Sequence, residues 1–141
     1  MPHLYDGNYE KYLYSGMQGF VMGIAHKMLE RGVPAAANRR VLEVGGGAMP
    51  HLRWMDAAPI EKYILSDTRE TLEKLGNSPL HAPYRDLVTY HVFEDDPDFT
   101  RLEAEHGPFT RVVASHVWEH VPDPEAALRR WVELLEPEGI L

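Results

Sequence analysis

Apolar residues follow two different rhythms along this 141-residue chain. Up to about residue 31 they recur every three or four positions, at Tyr9, Leu13, Met17, Phe20, Val21, Ile24 and Met28, which is the spacing of an amphipathic helix. Gly16, Gly19 and Gly23 interrupt that stripe. Each interior glycine costs a helix about 1 kcal/mol relative to alanine. A break is therefore predicted near Ser15-Gly16, with the second of two shorter helices ending at Gly32. From Arg40 onward the apolar residues gather in short runs that stop at glycine or an acid: RVLEVGGG, KYILSD, LVTYHVFEDD, FTRVVASH and a terminal GIL. Runs of this kind, rich in Val, Ile, Leu and Tyr, predict buried parallel strands joined by crossovers. The intervening segments carry helix signals. Asp67 can cap a helix through ETLEKL, and Asp123 followed by Pro124 starts a second one. In that second helix Leu128, Trp131, Val132 and Leu135 form the predicted apolar stripe, and Pro137 and Gly139 end it. The expected architecture is an open α/β sheet, residues 40–141, with an N-terminal helical cap, residues 1–39, in one structural domain overall.

Composition narrows the chemistry. The chain has no cysteine, which excludes a disulfide framework, a thiolate metal site and a cysteine nucleophile. Fourteen Lys+Arg against 22 Asp+Glu leave a net charge of −8 with no dense basic run, so a neutral or cationic small molecule is expected as partner and nucleic acid is not. The longest early apolar stretch, GFVMGIA, is far short of the roughly 20 residues needed to span a bilayer, and MPHLYDGNYE lacks a basic leader. A soluble, untargeted, cytoplasmic protein is expected.

In an open α/β sheet, ligands sit in the crevice at the carboxyl ends of the strands. The first strand ends in Gly45, Gly46 and Gly47, which let the backbone turn tightly and approach a ligand with no side chain between. The dinucleotide fingerprint G-x-G-x-x-G requires a further glycine where this chain has Pro50, and Glu43 would repel a pyrophosphate. An acid there suits a phosphate-free ligand bearing an ammonium group. Asp67, ending the second strand, is placed to accept hydrogen bonds from both hydroxyls of a ribose. After the third strand, Glu94-Asp95-Asp96 offers an acceptor for an exocyclic amine.

An amino-acid end, a ribose and an adenine without phosphate together describe S-adenosylmethionine. In VLEVGGG, YILSD, VTYHVFEDD and FTRVVASHVWEHVPDPEAALRRWVELLEPEGIL the chain resembles class I S-adenosylmethionine-dependent methyltransferases of the broad small-molecule type often called methyltransferase type 11. The resemblance implies a Rossmann-like, mostly parallel sheet with flanking helices. It implies that Glu43, Gly45, Gly46 and Gly47 line the methionine end of the cofactor, that Asp67 holds the ribose, and that Asp95 or Glu94 faces the adenine. Ser115 and His116 would approach from the end of the fourth strand. His116 and His120 are the candidate general bases for an acceptor that must lose a proton, with His51 behind them, and Tyr9, Tyr12 and Tyr14 are candidates to close over the site. Met49 and Glu138 stand where family members often carry glycine. The family's sheet ordinarily has seven strands, so the sequence reads as truncated after the start of the fifth, with an open sheet edge through which copies would associate as a homo-oligomer.

Three other readings compete. His116 to His120 spell HVWEH, the H-x-x-E-H spacing of a zinc peptidase, which needs one helix through both histidines. The preceding run RVVAS and the prolines at 122 and 124 leave no room for such a helix, so no metal is expected. A nicotinamide-dependent oxidoreductase is disfavoured by Pro50 and Glu43. A non-catalytic cofactor-binding or interaction module, keeping the fold without turnover, is the main alternative to methyl transfer to a small-molecule acceptor.

Overall fold

The computed structural model describes residues 16–115 and 117–141. The chain divides into two compact units, Met1–Val33 and Pro34–Leu141. In the first, helix α1 (Gly16–Glu30) opens at Gly16 with φ +64° and is followed by Gly32 at φ +82°. The end before Gly32 falls where it was expected, and the first of the two expected helices lies outside the described residues. Gly19 and Gly23 stay inside the helix. Tyr9, Tyr12, Leu13 and Tyr14 lie outside the described residues.

The second unit is built on five parallel strands: β1 (Arg40–Val44), β2 (Lys62–Asp67), β3 (Val88–Val92), β4 (Phe109–Val113) and β5 (Leu135–Ile140). Their order is β3-β2-β1-β4-β5, so the direction of winding reverses between β1 and β4. Arg40 pairs with Lys62 and Val44 with Ser66, which brings the carboxyl ends of β1 and β2 level. The crossovers carry helices α2 (Arg69–Asn77), α3 (Thr100–His106) and α4 (Pro124–Glu133).

Strands β1, β2 and β4 are buried on both faces, as their near-continuous apolar sequences require. On one face Leu42, Val44, Ile64 and Val112 pack with Phe99, Leu102, Trp131 and Leu134. On the other, Val41, Tyr63 and Val113 pack with Leu52 and Met55. Strand β3 differs: it lies at the edge of the sheet, and His91 is its one buried residue.

Three local expectations are corrected. The cap of α2 is Thr68, whose side chain accepts from the Thr71 N–H, and Asp67 is left for another bond. Asp123 caps α4 as expected, accepting from the Ala126 N–H at 3.0 Å. The buried face of α4, however, runs through Ala127, Trp131 and Leu134, and Leu128 and Val132 are exposed. One residue turns a helix by about 100°, so a stripe shifted by one position looks outward. Strand β5 starts at Leu135, earlier than the terminal GIL, and contains Pro137. It tolerates proline because it is an outer strand whose pairing with β4 is irregular between Phe109↔Leu135 and Arg111↔Ile140. No described helix is long and apolar enough to cross a membrane.

Candidate functional site

Of the residues predicted for ligand binding, Glu43, Gly45, Gly46, Gly47, Asp67, Glu94 and Asp95 lie at the carboxyl ends of β1, β2 and β3. Gly45 and Gly47 hold φ of +70° and +58°, the left-handed region that glycine adopts without strain. The Gly45 N–H donates to the Ser66 carbonyl at 2.8 Å, and the Gly47 N–H donates to Asp67 Oδ2 at 2.9 Å. The glycine turn after β1 is thus sewn to the end of β2. A Cβ on Gly45 would sit 2.5 Å from Val117 Cγ2, and one on Gly46 would sit 2.9 Å from the Glu43 carboxyl. One on Gly47 would meet no atom within 4 Å, so the turn is crowded beneath and open at Gly47.

Glu43 supports this turn from inside. Its side chain is 0% exposed; Oε1 accepts from the His51 N–H at 2.9 Å and Oε2 accepts from the Tyr63 hydroxyl. Burial pushes its pKa up to about 7, against the opposing hydrogen bonds from Tyr63 and His51 and the charge of Arg111. Burial likewise lifts the Tyr63 hydroxyl well above its ordinary value, with the Glu43 charge adding to the effect. Glu43 therefore bears on the crevice through the loop that it braces. The element after the loop is a four-residue 3-10 turn, His51–Trp54, and its leading N–H is the one that Glu43 occupies. His51 itself is 0% exposed, which removes it as a surface base.

Asp67 is half-buried, and its Oδ1 accepts from the Thr68 N–H at 2.7 Å. The next N–H, that of Arg69, donates to Glu94 at 3.0 Å, while the Arg69 guanidinium pairs with Asp95 at 2.8 Å. Asp67, Glu94 and Asp95 are thereby gathered around the start of α2, where the helix dipole favours negative charge. Successive N–H groups there already carry protein carboxylates.

The turn leaving β4 is different in character. Ser115 is half-buried, two residues beyond the strand, and Val117 packs toward Gly45 and the core. His116 lies outside the described residues. Trp118–His120 form a single 3-10 turn, with the His120 side chain 76% exposed and 3.9 Å from Glu119. The turn is three residues long, and Val121 after it is extended, so His120 sits in no regular α-helix. Among the described residues no group of three His, Asp or Glu side chains is placed to hold a metal ion.

Sequence reasoning missed several participants. Tyr63 was read only as a strand residue, yet its hydroxyl is the partner of Glu43. Asp96 was grouped with Glu94 and Asp95 as an acceptor for an amine, but it is buried and accepts from the Arg101 and Leu102 N–H groups and from His91. A polar residue inside an apolar run, as in VTYHV, was the available signal for His91.

Five parallel strands, a reversal between β1 and β4, and a glycine turn tied to an acid at the end of β2 define a Rossmann-like α/β domain, a fold whose ligands bind at the carboxyl ends of the strands. A family model described as a methyltransferase domain matches residues 14–141. The chain belongs to that family, a class I S-adenosylmethionine-dependent methyltransferase family. No curated protein matches the chain.

Proposed function

We propose that this chain binds S-adenosylmethionine at the ends of β1, β2 and β3 and transfers its methyl group to a small-molecule acceptor. The observation that carries this reading is the Gly47 to Asp67 bond beside a loop that no α-helix follows. A pyrophosphate ligand needs free N–H groups at a helix N-terminus. Here His51 N–H is taken by Glu43, and those of Thr68 and Arg69 by Asp67 and Glu94. A phosphate-free ligand with hydroxyls and amines suits the acceptors that remain.

The residues present fit that cofactor. The open space at Gly47 admits a ligand against the backbone, and Asp67 stays partly exposed with lone pairs beyond those used by Gly47 and Thr68. Asp67 would hold the ribose hydroxyls, Glu94 and Asp95 the adenine amine, and Ser115 and His116 would approach from β4. Bound there, S-adenosylmethionine supplies a methyl group on an already activated sulfonium. The chain's own task is then to align the acceptor with the methyl and keep water out. A base is required only for acceptors that must lose a proton, and His116 and His120 remain the candidates. The net charge of −8, with no basic run, supports a small acceptor over a nucleic acid.

Titration calorimetry tests the reading. S-adenosylmethionine is expected to bind, and Asp67→Ala to weaken it about tenfold to a hundredfold, the value of a hydrogen bond to a charged group. Binding of NADH in its place would overturn it in favour of an oxidoreductase.

A further inference from the structure

The one buried residue of edge strand β3 is a histidine, and both of its ring nitrogens are engaged. His91 Nδ1 lies 2.8 Å from Ser66 Oγ and Nε2 lies 3.0 Å from Asp96 Oδ2. With Asp96 ionised, Nε2 carries the proton and donates to the carboxylate, and Nδ1 accepts from the Ser66 hydroxyl. Each end of this chain reaches a part of the crevice. Ser66 precedes Asp67, and its carbonyl receives the Gly45 N–H. Asp96 closes the turn Phe93–Asp95 that presents Glu94 and Asp95, and its carboxylate also receives the Arg101 and Leu102 N–H groups at the start of α3. Between them stands Phe99 at φ +59°, a left-handed conformation that a bulky residue holds only when its surroundings enforce it. Its ring stacks on His91 with centroids 5.4 Å apart.

We propose that His91 is a positioning residue, bridging Ser66 and Asp96 so that the turn carrying Glu94 and Asp95 is held in register with the glycine loop. This rests on the cofactor reading above, in which that turn meets the adenine amine. His91 touches no ligand in this scheme; it acts through Asp96. A residue that only filled the core would set overall stability, whereas a positioning residue sets how well the turn distinguishes an amine from a carbonyl.

The test compares S-adenosylhomocysteine with its hypoxanthine analogue, in which a carbonyl replaces the exocyclic amine, by calorimetry on the full chain. Wild type is expected to prefer the amine about tenfold, the value of one hydrogen bond to a charged group. His91→Phe, which keeps the ring against Phe99 and removes both hydrogen bonds, is expected to bring that preference close to one. His91→Gln, which can accept from Ser66 and donate to Asp96, is expected to restore most of it. Ser66→Ala serves as a second variant, expected to lower the preference without removing the aromatic stack. The preference surviving in folded His91→Phe overturns the proposal, and so does failure of both His91→Phe and Ser66→Ala to fold, since the chain would then be a core element alone. Wild type that binds both ligands equally overturns it while leaving cofactor binding intact. Wild type that binds neither ligand overturns the cofactor reading itself.

Discussion

The turns leaving β1 and β4 stand side by side in the sheet and are built by opposite means. After β1, three glycines and a buried acid are fastened by backbone donors: Gly45 to Ser66, Gly47 to Asp67, and His51 to Glu43. After β4, Trp118, Glu119 and His120 of the HVWEH motif are exposed, and among the described residues the turn is held by packing, through Val117, Val121 and the T-shaped contact of the Trp118 ring with Trp131, with no comparable set of backbone donors. The plainer motif is the one the fold has committed to. A motif's weight lies in how many of its groups the surrounding backbone needs, and the turn after β1 is needed by two strands at once.

That contrast can be broken by substitution. The largest effect is expected from Gly45→Ala, which puts a Cβ 2.5 Å from Val117 Cγ2 and forces a φ of +70° on an L-residue. A loss of roughly 4 kcal/mol in denaturant unfolding is expected, from overpacking and left-handed strain together.

Next comes Glu43. Its carboxyl in the folded protein holds its proton up to about pH 7, against an ordinary value of 4.5, so folding binds a proton between those limits. The stability from this group is fully present below 4.5, falls as pH rises through 7 and is flat above. Burial without exposure makes the span roughly 3 kcal/mol. Unfolding curves of wild type and Glu43→Gln should diverge across that window, and parallel curves would show that Glu43 is not ionising there.

Smaller effects belong to the turn after β4. Asp123→Ala removes the cap of α4 and is expected to cost about 1 kcal/mol by thermal or chemical denaturation. His120→Ala is expected to change stability by less than about 0.5 kcal/mol, because the side chain is 76% exposed. A cost as large as that of Gly45→Ala would erase the contrast between the two turns.

Much of the fold was legible because burial on both sheet faces writes itself as unbroken apolar runs, as in RVLEV, YILS and FTRVV. The glycine turn was legible too, since glycine takes the left-handed φ values at 45 and 47 without strain. Where reading failed, the deciding contact was distant in sequence or one position away. Asp67 was expected to cap a helix, but the register of β1 against β2 brings Gly47 to its carboxylate, leaving Thr68 to cap. In α4, Leu128 and Val132 are as apolar as Trp131, and only the placement of the sheet chose the face through Ala127, Trp131 and Leu134.

By itself, then, the chain's apolar spacing determined a parallel α/β sheet, its turns and the acids that end its strands. The tertiary structure decided what each acid does. Glu43 and Asp96 became buried acceptors, while Asp67, Glu94 and Asp95 gathered around the start of α2. The physical reason is that a carboxylate's role depends on its solvation and on which donors reach it, and strand register sets both.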